Sequence, residues 1–385
     1  MILYEFIDYS VLKVIWWALL GILLIGFAAT DGFDMGVGTL LPFVGRTDIE
    51  RRVAINSIAP TWEGNQVWFI LGGGAIFAAW PPLYAISFSG FYFAMFLVLG
   101  AMILRPVAFK YRSKRPDPTW RSSWDWALFV GSFVPALVFG VAIGNVLQGV
   151  PFTLDDRLRM TYEGTFLDLF SPFSLLCGVL SVAMLVLHGG AWLAMRSAGP
   201  VAARGRRYGS LAGVVSLVLF ALGGYLITSG AVEGYRITSV IDPEMPSNIT
   251  LKEVARDGGA WMANYAARPW MMIAPALGFL GALGALIGLQ TRFEALTFLC
   301  SKLSILGIIS TVGLSMFPFM LPSSAQPEAS LTVWDSASSH STLFNMLVAT
   351  VIFLPLILTY TAWVYKVLWG RVDERTITEN SDTAY

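Results

Sequence analysis

The chain has 385 residues, of which 56% are hydrophobic and only 13% charged, and its formal net charge is zero. Soluble domains carry about 25% charged residues, so a water-soluble protein is excluded, and the lack of net positive charge argues against a nucleic-acid partner. A mean hydropathy of +0.66 fits an all-α polytopic membrane protein, read here as a single integral membrane domain over residues 1–385.

The first apolar run follows MILYEFIDYS without a basic stretch before it, so it reads as a retained span and not as a cleaved signal. Runs of about 18 or more apolar residues predict about nine spans, starting with 11–30, which can continue helically toward Leu41. The others are 54–79, 83–108, 124–147, 166–195, 209–229, 269–289, 298–319 and 343–369. The second is the least apolar, since it holds Glu63, Asn65 and Gln66. It is retained because without it the cluster Arg46, Arg51 and Arg52 would change sides. With it, that cluster joins Lys110–Arg121, Arg196–Arg207, Arg292 and the C-terminal basic residues on one face. A positive-inside bias then places the N-terminus outside and the C-terminus inside.

Tryptophans such as Trp16, Trp17, Trp80, Trp124, Trp126, Trp270 and Trp363 fall near span ends, as interfacial anchors do. The segment LKEVARDGGAW in the longest outer loop is expected as a short surface helix. The glycines of GALGALIG (Gly281, Gly284, Gly288) permit close helix packing, and the tail 372–385 is expected to be polar and mobile. Cys177 and Cys300 fall near opposite faces, too far apart for one disulfide.

Chemistry concentrates in the first two spans. They read as an antiparallel hairpin in which Asp31 and Glu63 are equidistant from the turn, with Asp34 one helical turn from Asp31. Counted from residue 54 at 1.5 Å per residue, Glu63 lies roughly 13 Å from the inner surface, where a carboxylate is protonated, solvated or part of an ion or proton path. The three acids are therefore candidates for a proton pathway. The rival reading makes Asp31 and Asp34 caps of a glycine-broken helix end, with Asn65 and Gln66 bonding neighbouring helices.

Trp62, Asn65 and Arg105 are candidates for structural, lipid or quinone contacts, and Arg105 is expected to reach back to the headgroups. Asp125 is read as a first-turn helix cap. His188 lies within a span and His340 in the last outer loop, so no shared metal or haem site forms, and an interhelical hydrogen bond is expected for His188. No metal-ligand spacing, P-loop, dinucleotide fingerprint or hydrolase triad occurs.

The segments TDGFDMGVG (30–38), RRVAINSIAPTWEGNQVWF (51–69), FAAWPPLYA (77–85), FSGFY (88–92), RPVAFKYRSK (105–114) and WDWALFVGSFVP (124–135) resemble subunit II of the cytochrome bd quinol oxidase family. GNVLQGVPF (144–152), MFPFMLPSS (316–324) and SLTVWDSASS (330–339) extend the resemblance over nearly the whole chain. The resemblance implies two four-helix bundles plus a peripheral helix, in the bacterial cytoplasmic (inner) membrane. It implies a partner subunit I that carries haem b558, haem b595 and haem d, and no catalytic residue in this chain. It also implies a small single-helix accessory subunit, a quinone held in this subunit, and an acidic residue on a cytoplasmic proton path, which by position in WEGN is Glu63. The expected function is that of the non-haem subunit of a quinol:oxygen oxidoreductase. A proton- or cation-coupled transporter is the alternative for the same intramembrane carboxylates.

Overall fold

The computed structural model describes residues 3–291 and 293–379; Arg292 and the last six residues of the tail, included in the readings above, lie outside them. A short 3-10 turn (Leu3–Phe6) leads into α1 (Tyr9–Val44), which runs without interruption through the glycine-rich Thr30–Gly38 segment. Its amino end is closed from a distance: the Glu244 carboxylate accepts from the amides of Tyr9 and Ser10 at 3.1 and 3.2 Å, satisfying donors that a helix start leaves open.

A capping box, with Thr47 accepting from the Glu50 amide and Glu50 accepting from that of Thr47, begins α2 (Asp48–Ile58). Pro60 disfavours helix at the residue before it, and α2 gives way to α3 (Trp62–Ala79) across residues 59–61. The pair Pro81–Pro82 starts α4 (Pro81–Gly90), and Phe91 separates it from α5 (Tyr92–Tyr111). Asp117 caps α6 (Pro118–Gln148) and Ser171 caps α7 (Pro172–Arg196), each ahead of a proline at the first helical position. Then come α8 (Gly199–Thr228), the short α9 (Ala263–Ala267), α10 (Ile273–Thr291), α11 (Glu294–Met316), α12 (His340–Val367) and α13 (Glu374–Glu379).

Among the described residues, eight helices are long and apolar enough to cross a membrane. The segment expected as a further span is the interrupted pair α2–α3, whose break and polar residues keep it out of that set. The helices form two groups of four: α1, α3, α5 and α6, then α7, α8, α10 and α11. They are joined where α7 packs on α1 and α6. α12 lies outside both groups, with only 6% of its most apolar window buried.

Three antiparallel hairpins gather at one end: β1 (Phe152–Leu154) with β2 (Met160–Tyr162), β3 (Gly234–Ile237) with β4 (Val254–Asp257), and β5 (Phe319–Leu321) with β6 (Leu331–Thr332). The expected surface helix in LKEVARDGGAW is instead strand β4, because β3 offers it a partner in register. The opposite end carries the basic loops. There Asp125 is not a first-turn cap, since α6 begins at Pro118 and Asp125 is two turns further in. It is buried between Arg112 and Arg51, at 2.5 and 2.8 Å. Asp48 joins Arg112 to Arg121, and Glu50 holds Arg204. The tail, expected to be mobile, folds back as far as residue 379: α13 packs on α2 and buries Ile377.

Glycines set the helix spacing. A Cβ on Gly36 would lie 2.1 Å from the Leu185 carbonyl oxygen and 2.9 Å from Gly189 of α7, and one on Gly38 would meet Ser132 of α6 at 2.0 Å. On α10, Gly281 and Gly288 face Ser304 and Thr297 of α11 in the same way. Small residues let membrane helices approach where no hydrophobic force drives them together.

Gly36→Ala is expected to lower the thermal midpoint of the assembled protein, at a cost of about 1–3 kcal/mol from overpacking against backbone. Gly224→Ala on α8, where nothing lies within 4 Å of the added carbon, should leave it unchanged. Equal midpoints for the two variants, read by fluorescence-detected melting, would refute this account of the α1–α7 contact.

Candidate functional site

Asp31 and Asp34 point into the interior from α1, and both are 0% exposed. The uninterrupted helix rules out the reading in which they cap a broken end. Arg105, on α5, is also 0% exposed. Its Nη1 and Nη2 donate to the two Asp31 carboxylate oxygens at 2.8 and 2.6 Å, a bidentate pair. The expectation that Arg105 reaches the headgroups is therefore overturned. α5 continues past Pro106 to Tyr111, which leaves Arg105 more than a turn inside the helix and facing α1. Space for its stem comes from Gly131 of α6, where a Cβ would sit 2.9 Å from Arg105 Cγ.

Asp34 has different partners. Its Oδ2 accepts from Asn65 Nδ2 at 2.7 Å, and its Oδ1 is buried without a hydrogen-bond partner among the described residues. Asn65 Oδ1 in turn accepts from the Tyr365 hydroxyl at 2.6 Å. A carboxylate on one side and a hydroxyl on the other fix the amide orientation. Asp34, Asn65 and Tyr365 thus connect α1, α3 and the last turn of α12. By helix rise, Asp34 lies roughly 15 Å from the basic-loop end of α1. The cluster holds one guanidinium for two carboxylates.

Glu63 does not join the other two acids. It sits in the first turn of α3 and is exposed on the surface of this chain, on a different face from Asn65, since residues two apart on a helix do not share one. The hairpin symmetry that paired it with Asp31 assumed one straight second helix, and the break at residues 59–61 removes that assumption. Trp62, one turn before Asn65 and on its side, is buried and stacks on Phe109 of α5 with ring centroids 5.0 Å apart. It holds α3 against α5. Tyr365 was missed: in TYTAWVYKVLW it looks like one more interfacial aromatic, and nothing local marks it as a partner of Asn65.

His188 forms the expected interhelical bonds. Nδ1 lies 2.7 Å from Ser301 Oγ on α11 and Nε2 3.1 Å from the Ala29 carbonyl on α1, with the ring stacked on Phe298. With both ring nitrogens engaged, it does not fit an axial haem ligand. His340 bonds the Ile7 carbonyl at the hairpin end. Among the described residues no group of three or more His, Cys, Asp or Glu is placed to hold a metal. The apolar cavity between α5, α6 and the Phe166–Phe170 turn is about 10 Å³, about the space of one water, and a quinone ring does not fit it.

The chain matches the family model described as "Cytochrome bd terminal oxidase subunit II" over residues 12–368. It is 50% identical over 379 residues to the probable cytochrome oxidase subunit 2 of Haemophilus influenzae, covering 98% of this chain and 100% of that one. The same figures hold for the cytochrome bd-I ubiquinol oxidase subunit 2 of Escherichia coli K12. Identity to the cytochrome bd ubiquinol oxidase subunit 2 of Bacillus subtilis is 29% over 362 residues, 94% of this chain and 97% of that one. The fold is shared with a chain of the bd oxidase of Geobacillus thermodenitrificans, at a TM-score of 0.66, 16% identity, and coverage of 94% of this chain and 99% of that one. With multiple apolar helices and relatives matched end to end, this multi-pass membrane protein belongs to the family of cytochrome bd terminal oxidase subunit II.

Proposed function

We propose that the chain is the non-haem subunit of a quinol:oxygen oxidoreductase in the bacterial inner membrane. In this reading it supports a haem-bearing subunit I and carries protons toward it from the side of the basic loops, taken as cytoplasmic. The overall reaction, two quinols and one O₂ giving two quinones and two waters, is electrogenic when quinol protons leave on one side and water protons enter from the other. Haems in the partner supply the electron transfer and oxygen chemistry; this chain supplies packing and a proton route.

The observation that carries the reading is the Asp34 carboxylate: buried, beside an Asp31 whose charge Arg105 already balances, and bonded through Asn65 to Tyr365 at the end of α12. With one cation for two acids, the cluster is electrically balanced when one carboxylic acid holds a proton, and Asp34 Oδ1 is the free position for it. Asn65, whose amide carries no proton itself, orients Asp34 between α1 and Tyr365, and the proton is taken up at the unpartnered Asp34 Oδ1. Glu63 then serves at the protein surface. A carboxylate exposed at membrane depth costs about 2.5–3.5 kcal/mol against lipid, so its face of α3 is assigned to the partner subunit, where Glu63 hands protons across. The transporter reading explains the carboxylates but not the family match.

In the assembled complex, Asp34→Asn and Glu63→Gln are each expected to lower quinol-driven oxygen consumption about tenfold or more with unchanged haem absorbance. Turnover and membrane potential at wild-type levels in both variants would exclude the relay.

The Arg105–Asp31 pair is assigned a structural role and is tested separately. Arg105→Gln should cost about 3–5 kcal/mol by stranding a buried charge and reduce assembled protein. Adding Asp31→Asn to it should recover yield, as measured by size-exclusion chromatography; a double variant no better than the single one would contradict the assignment.

A further inference from the structure

The surroundings of Asp31 and Asp34 differ sharply along the helix axes. Toward the basic-loop end lie Asn65, Tyr365 and the helix break at residues 59–61. Toward the hairpin end, each helix that supplies a polar group to the cluster turns apolar within one turn, on the same face. Phe27 precedes Asp31 by four residues on α1, Phe69 follows Asn65 by four on α3, and Met102 precedes Arg105 by three on α5. Phe27 and Met102 are buried, and Phe69 is half-buried.

α6 completes the layer. Its Phe139, also half-buried, meets Phe27 edge-on with ring centroids 5.6 Å apart and lies 5.4 Å from Phe69, while Phe27 and Phe69 are themselves 5.4 Å apart. Three rings from three helices thus touch pairwise, within the roughly 4.5–7 Å range of packed aromatic pairs. Trp68, next to Phe69, lies against Gly26 of α1, where a Cβ would come within 3.0 Å of its ring. Beyond this layer, Leu20, Trp16, Ala79 and Val98 belong to one apolar cluster that continues to Phe152 and Leu331 at the hairpin end. Proton movement needs a run of hydrogen-bonding groups or water, and water in a protein interior needs polar partners and room. Charge carried through unhydrated apolar space meets a large desolvation penalty. Packed rings supply neither partner nor room.

We propose that Phe27, Phe69 and Phe139 form a seal between the Asp31–Asp34 cluster and the hairpin side, so that these acids exchange protons with the basic-loop side alone. The seal gives the proton route its direction. Without it, a proton released on the outer side would return through this chain and dissipate the potential that turnover builds. The inference rests on the reading of Asp34 as a proton-carrying group, and the two are tested apart.

The experiment uses the intact complex in proteoliposomes without quinol, with a potassium diffusion potential set by valinomycin and internal pH read by a trapped dye. Phe139→Ser, which leaves room for water and a hydroxyl to hold it, is expected to raise the passive proton leak about tenfold over wild type. Phe139→Leu, still apolar, should not. Neither should Phe220→Ser in the second helix group, where the ring packs on Phe279 at 4.7 Å. Haem absorbance and turnover in detergent are retained throughout. If Phe139→Ser fails to assemble, Phe69→Ser decides. Adding Asp34→Asn to the leaking variant should return the leak to the wild-type level. A leak that persists in that double variant would uphold the seal and count against Asp34 as the carrier. A wild-type leak in the serine variant, or an equal leak from Phe139→Leu or Phe220→Ser, would overturn the proposal.

Discussion

A guanidinium and a carboxylate locked face to face in an apolar interior set the terms for the first half of this protein. In such surroundings, taking two charges out of water costs several kcal/mol per ion, and only close, doubly bonded geometry offsets it. The 2.6 and 2.8 Å contacts between Arg105 and Asp31 supply that geometry, but only if α1, α5 and α6 approach closely. Hence the requirement for bare backbone at Gly131 under the arginine stem and at Gly38 of α1, where α6 comes in. Glycines that would loosen an isolated helix are what let α1 pack, and the helix stays continuous where its sequence looks broken.

Once Asp31 is paired, Asp34 is the odd charge in the cluster. A polar amide, held in turn by a phenol, reaches it where a second cation would have cancelled it. An amide N–H favours the ionised carboxylate but, unlike a guanidinium, brings no charge of its own. One acid is pinned by a permanent cation, and its neighbour one turn away is held by neutral partners alone.

Much of this was legible in the sequence. The spans, the collection of basic residues at one end and the importance of the acids in TDGFDMGVG follow from hydropathy and from the cost of charge in lipid. What escaped was direction. Glu63 was placed by counting residues from the turn, yet a three-residue interruption separates its helix from α2, and depth arithmetic carries no information about azimuth. Arg105 was misread because a following proline suggested a helix end. Asp125 was misread because the start of its helix lies a further two turns back. Tyr365 could not be found at all: its partner is 300 residues away, and no local pattern records such a meeting. The tail behaved similarly, since the hydrophobic position that matters, Ile377, is a single residue with its seat on α2.

The loose fit of α12 has a consequence for how the protein is made. This helix buries little of its own surface, and it is fastened at isolated points: Trp16 Nε1 bonds the Leu343 carbonyl at one end, Tyr365 reaches Asn65 near the other, and Arg196 holds Leu368 beyond it. It also follows every helix of both four-helix groups in chain order. The phenol that completes the hydrogen-bond chain to Asp34 is therefore made after them, so a polypeptide stopped before α12 can insert most of its bundle yet still lack the partner that ties Asn65 and Asp34 to the periphery.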